Sequence, residues 1–177
     1  METLSSVSET VDLFERSLIG GHARWVADLT EFFRGHRIGN TVFELYARGK
    51  TRNRGLLLSR FFAWSVLPNY TVSLLCVDGG RRESLTSERL RAIVEDVLHQ
   101  ISRDDLQWCW LIILSSGELP SWAVSFVSRY DRRELGIGLA SISSGQVVLS
   151  SSQIGQSIGK HLGLQKLMER IAYGKAD

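Results

Sequence analysis

The chain predicts an α/β protein: one three-layer domain over residues 1–177, with a mixed central sheet of about five to six strands between helices. Three observations carry this. Strand-like and helix-like patterns alternate from Tyr70 to Leu149, which predicts parallel strands joined by crossovers. The run Trp108 to Leu114 has no polar alternation, as expected of a central strand covered on both faces. Thr86, Leu85 and Leu90 set an N-cap and hydrophobic staple before apolar positions Ile93, Val94, Val97, Leu98 and Ile101 at helical spacing.

At the amino end, residues 1–36 predict two helices. Ser6 and Glu9 form a capping box, and Val7, Val11, Phe14 and Leu18 recur at helical spacing until Gly20 and Gly21. Ala23, Val26, Leu29, Thr30 and Phe33, widened by Trp25 and Phe32, predict the inner face of a second helix ending at Gly35. The α/β core spans 41–149. Its first strand, Thr41 to Ala47, puts Val42, Glu44 and Tyr46 on one face and Phe43, Leu45 and Ala47 on the other. The basic stretch Arg48 to Gly55 reads as a hairpin loop into a long strand, Leu56 to Leu67, rich in aromatic residues.

Next come a strand from Tyr70 to Val77, the helix Thr86 to Arg103, the strand Gln107 to Leu114 and a helix Pro120 to Tyr130. The strand pair Leu135 to Ile142 and Gln146 to Leu149 turns at Ser143, Ser144 and Gly145. The tail, 154–173, reads as a helix weakened by Gly155, Gly159 and Gly163 and breaking near Gly163. These glycines share roughly one helix face, which suits close approach of another backbone, within this chain or in a homo-oligomer.

With 44% hydrophobic and 23% charged residues the chain is an ordinary globular sequence. Its apolar runs fall far short of the roughly 18 residues that span a bilayer, and no secretory leader precedes the first helix, so a cytoplasmic protein without membrane contact is expected. Cys76 and Cys109 each lie in an apolar strand pattern and read as small buried hydrophobes, although neighbouring strands would permit a disulfide. The four histidines show no metal-ligand spacing, no nucleophile elbow occurs, and Gly155 and Gly159-Lys160-His161 miss the phosphate-loop pattern. Gly136-x-Gly138 lies inside a strand, where close backbone packing explains it. Ser150, Ser151 and Ser152 read as caps.

Although the net charge is only +2, its distribution is uneven. Arg34, Arg37, Arg48, Lys50, Arg52, Arg54 and Arg60 concentrate basic charge, with Glu44 the one acid among them. Asp78 stands at a strand's carboxyl end, where open α/β sheets place ligands, and Gly79-Gly80 makes it equally a turn residue.

The order helix, three strands, helix, strand, helix, strand resembles the restriction-endonuclease-like superfamily, the PD-(D/E)XK nuclease fold. Its most suggestive piece is Trp108 to Leu114, then Pro120 to Tyr130, then Leu135-Gly136-Ile137-Gly138-Leu139. The resemblance implies an acid on the second core strand and an acid, one spacer and a Lys on the third, holding magnesium and the attacked phosphate. Here Leu56 to Leu67, as the second strand, has no acid, and the third ends Cys76-Val77-Asp78-Gly79-Gly80-Arg81 without that Lys. The resemblance therefore implies a nuclease-like domain without its catalytic set and without a cofactor. It would bind DNA or RNA through Arg37, Arg48, Lys50, Arg52, Arg54 and Arg60, with Tyr46 or Trp64, if exposed, stacking on bases. The alternatives are a protein-interaction or oligomerisation module built on Phe61 to Val66 or on the glycine-spaced tail, and a divergent nuclease. In that last case Glu15 or Glu44 pairs with Asp78 on magnesium, and Lys50 or Arg81 supplies a cation. Any site is expected beside Asp78 and the basic segment before it.

Overall fold

A computed structural model describes residues 6–51, 70–80 and 85–174. Helix α1 (Val7–Ile19) begins with the expected capping box, Ser6 and Glu9 each satisfying the other's backbone N–H. A 3₁₀ turn, His22–Trp25, leads to strands β1 (Ala27–Ile38), β2 (Thr41–Thr51) and β3 (Thr71–Asp78). Then come α2 (Ser87–Arg103), β4 (Trp108–Ser115), α3 (Ser121–Arg129), β5 (Leu135–Ser141), β6 (Val147–Leu149), α4 (Gln153–His161) and α5 (Leu164–Tyr173). The tail breaks at Gly163, whose φ of 65° caps the break.

The six strands lie in chain order, β1-β2-β3-β4-β5-β6. β1 to β3 form an antiparallel meander, β3, β4 and β5 run parallel, and β6 returns antiparallel. Both crossover helices, α2 and α3, pack on one face, as required when successive parallel strands are added in one direction with one handedness. Helices α1, α4 and α5 cover the other face. The sheet thus separates two cores, one around Phe14, Leu74, Trp110, Ile158 and Met168, the other around Leu75, Leu90, Ile93, Leu111 and Val127. Trp108 to Leu114 is indeed an internal strand, with parallel neighbours on both sides.

The second amino-terminal helix is a correction. After one 3₁₀ turn the chain from Ala27 is strand, and the reason is local. The pairing of β1 with β2 shifts between Leu29 and Glu31, so Thr30 is the extra residue of a β-bulge. A bulge puts residues three apart on one face, so Leu29 and Phe32 both reach the α1-side core. At Gly35, φ 62°, the backbone turns irregular without any shift of register, and Phe33 and His36, three apart, both meet Tyr46 on the other face. Two irregularities in a strand imitate helical periodicity. The strand predicted from Thr41 to Ala47 also continues through Thr51, so Arg48 and Lys50 are strand rather than loop residues. Leu56 to Leu67, with Phe61, Phe62 and Trp64, lies outside the described residues.

Cys76 and Cys109 are on neighbouring strands, yet Cys76 belongs to the α1-side core and Cys109 to the α2-side core, so no disulfide joins them. Gly136 lies against α4, where an added Cβ would sit 2.5 Å from the Gly155 nitrogen. Gly155, Gly159 and Gly163 face Ser150, Leu149 and His22 of the same chain, so internal packing accounts for their spacing. Ser152 caps α4 through the Gly155 N–H, and the buried Ser150 hydroxyl accepts from the Ile137 N–H at 2.9 Å.

Tyr130, at the end of α3, has a buried hydroxyl without a hydrogen-bond partner. Burial pushes its phenol up to about 12. A raised acid favours the neutral form in the fold, so its contribution is intact below the unfolded value near 10 and is lost as pH climbs towards 12. Tyr130→Phe should therefore leave stability at neutral pH nearly unchanged and remove part of the alkaline loss, measured by urea unfolding across that range. Equal alkaline losses in both proteins would contradict the assignment.

Candidate nucleic-acid interface

The β1–β2 hairpin turns at Gly39 and Asn40, and its far end carries the bulge at Thr30. There Asp28 pairs with Lys50, Leu29 with Gly49, Glu31 with Arg48 and Phe33 with Tyr46. Gly49 makes the bulge possible, since a Cβ there would overlap the Asp28 carbonyl. At this bulge Thr30, Glu31, Arg48, Gly49, Lys50 and Thr71 line an open cleft of about 310 Å³. Two cations and two threonine hydroxyls can receive a phosphate, while Glu31 opposes it.

From Leu45 onward the faces of β2 alternate, so Tyr46 and Arg48 share the α2 side; Phe43 lies in that same core, not with Leu45 and Ala47 as expected. Burial raises the Tyr46 phenol and the Arg48 charge lowers it, with Asp104, Cys109 and Glu31 adding smaller increases. Asp104 is held below its usual range mainly by hydrogen bonding to Arg103, with smaller help from Gln100 and Arg48. Arg48 thus sits among Glu31, Asp104 and Tyr46.

Tyr46 is 5% exposed and cannot stack on a base as its place in the sequence suggested. Its ring belongs to a three-ring cluster: His36 lies 4.6 Å from it at 20°, Phe33 lies 5.8 Å from it at 25°, and Phe33 and His36 lie 6.4 Å apart. Phe33 is the exposed ring, at 47%. Sequence reasoning missed it because its spacing matches the inner face of a helix; the signal available was the density of aromatic and branched residues through Phe33.

Arg37 is exposed near the hairpin turn, opposite Val42. Arg34 is committed to α1, bonding Glu15 at 2.7 and 3.0 Å and also contacting Asp12. Arg52, Arg54, Arg60 and Arg81 lie outside the described residues.

Glu44 and Asp78 are at the opposite end of the meander. Leu45 pairs with Cys76, and Glu44 and Asp78 both raise the buried Cys76 thiol behind the larger effect of burial, against the lowering by Arg34. The Asp78 carboxylate accepts from the Gly80 N–H at 2.9 Å, closing the turn expected there. Among the described residues no group of three or more His, Cys, Asp or Glu side chains is arranged to hold a metal ion. Thr71, opposite Lys50, and Asp78 are seven residues apart, about 23 Å along β3. The single site expected beside Asp78 and the basic segment is therefore two places.

Fold and site together define a three-layer α/β domain with a polar cleft at one end of its antiparallel meander. No family model, curated protein or solved structure matches the chain. No helix among the described residues is long and apolar enough to cross a membrane.

Proposed function

We propose that the chain is a nucleic-acid-binding domain of nuclease-like architecture that binds without cleaving. The observation that carries this reading is the cleft, which holds Arg48 and Lys50 beside two threonines and next to an exposed aromatic ring. The order α1, three meander strands, α2, β4, α3, β5 supports the resemblance, and the third strand ends without the lysine on which cleavage depends in that family. Among the described residues Glu31 and Asp28 limit the positive field, so Arg48 and Lys50 supply one or two phosphate contacts there.

Fluorescence anisotropy with labelled oligonucleotides tests it. Affinity should fall as salt rises, and Arg48→Ala with Lys50→Ala should weaken binding and reduce the salt slope by about 1.4 on single strands. Absence of binding at low salt, or binding indifferent to salt, would sink the proposal.

A second reading has its own observation. Because β1 is a strand, the second strand of the meander is β2, and it does carry an acid, Glu44, near Asp78 on the third. A divergent magnesium-dependent nuclease would use that pair. Cleavage with magnesium or manganese that disappears in Asp78→Ala would favour it over the leading proposal.

A further inference from the structure

We propose that Phe33 is a stacking platform for an unpaired base, so that the ligand is single-stranded nucleic acid. This rests on the preceding reading and deepens it. The Phe33 ring is the exposed member of a three-ring cluster, packed against the buried Tyr46 at 5.8 Å and against His36 at 6.4 Å. A ring packed against two neighbouring rings is ordered before the ligand arrives, so stacking on it costs little side-chain freedom.

The neighbouring groups suit one nucleotide unit. Phe33 pairs with Tyr46 and Glu31 with Arg48, so the ring and the cleft cation are two residues apart along the same strands, about 7 Å. A phosphate seated by Arg48, Lys50, Thr30 and Thr71 leaves its base within reach of Phe33. Among the described residues the charges facing this area are mixed: Arg48, Lys50 and Arg103 against Asp28, Glu31 and Asp104, with Arg103 tied to Asp104 at 2.9 Å. So balanced a set attracts a polyanion weakly, and a duplex, whose bases are already stacked on one another, has only charge to offer. A single strand adds the face of a base, and every base has one.

The test compares oligo(dA), oligo(rA) and a blunt DNA duplex of equal length, using the full chain and fluorescence anisotropy at fixed low salt. The single strands should bind more tightly than the duplex. Phe33→Ala should lose about 5- to 100-fold on single strands, with duplex affinity and the salt slope unchanged, while Phe33→Tyr keeps most of the affinity. Phe33→Trp supplies a second readout, since a base stacking on the indole quenches its emission. Equal binding by wild type and Phe33→Ala, a preference for duplex, or an unquenched but bound Phe33→Trp protein overturns the stacking role and leaves the nucleic-acid reading standing. No binding by the wild type to any of the three probes overturns both.

Discussion

Gly155→Ala should destabilise the protein by about 3 kcal/mol, read as a lower urea midpoint with unchanged slope. In an exposed helix the same change would gain about 1 kcal/mol from helix propensity, so the sign itself is the test. An added Cβ at Gly155 would overlap the Ser150 hydroxyl and lie 2.5 Å from the Ser150 carbonyl oxygen, both parts of a buried residue. That hydroxyl accepts from the Ile137 N–H, so displacing it also leaves a strand donor unpaired. The other side is equally closed, because Gly136 brings β5 against the same turn of α4. Gly159→Ala, one turn on, is the control. Its Cβ would meet only the Leu149 side chain, at 2.9 Å, and Gly159 is exposed, so little loss is expected.

Trp110→Ala should cost about 3–5 kcal/mol in the same measurement. Trp110 is fully buried on β4, with its indole N–H donating to the Ser157 hydroxyl at 2.8 Å across to α4. Truncation removes the largest fully buried side chain of the sheet and an edge-on contact with Trp108 at 4.6 Å. Trp110→Phe should lose less, because the ring volume is partly kept and Ser157 still donates to the Ile154 carbonyl at 2.6 Å. Gly155→Ala and Trp110→Ala disturb the same helix against the same sheet, so their effects should combine non-additively. A loss under 1 kcal/mol for Trp110→Ala would mean that α4 does not depend on this contact.

The parallel half of the fold is legible in the sequence because its signals are unambiguous. Trp108 to Leu114 is too uniformly apolar for anything but a covered strand, and Thr86 with Leu85 and Leu90 marks a helix start. The meander is less legible. Around Thr30 and Gly35 a strand carries the spacing of a helix, and nothing in residue order distinguishes a bulge from a turn of α-helix. The same ambiguity reaches the cleft. Arg48 and Lys50 stand out by their charge, but the helix-like spacing before Gly35 hides Phe33 among core positions. Glu44 and Asp78 cannot be separated from the basic residues until strand register fixes which end each occupies.

The division of the interior by the sheet has a consequence for how the molecule comes apart. Each core holds one cysteine, Cys76 with α1, α4 and α5, Cys109 with α2 and α3. Burial raises both thiols, Cys109 to about 12, so neither reacts while its layer is closed. The chain therefore carries its own pair of reporters. Site-resolved thiol labelling in rising urea shows whether the two layers open as one cooperative unit or in succession.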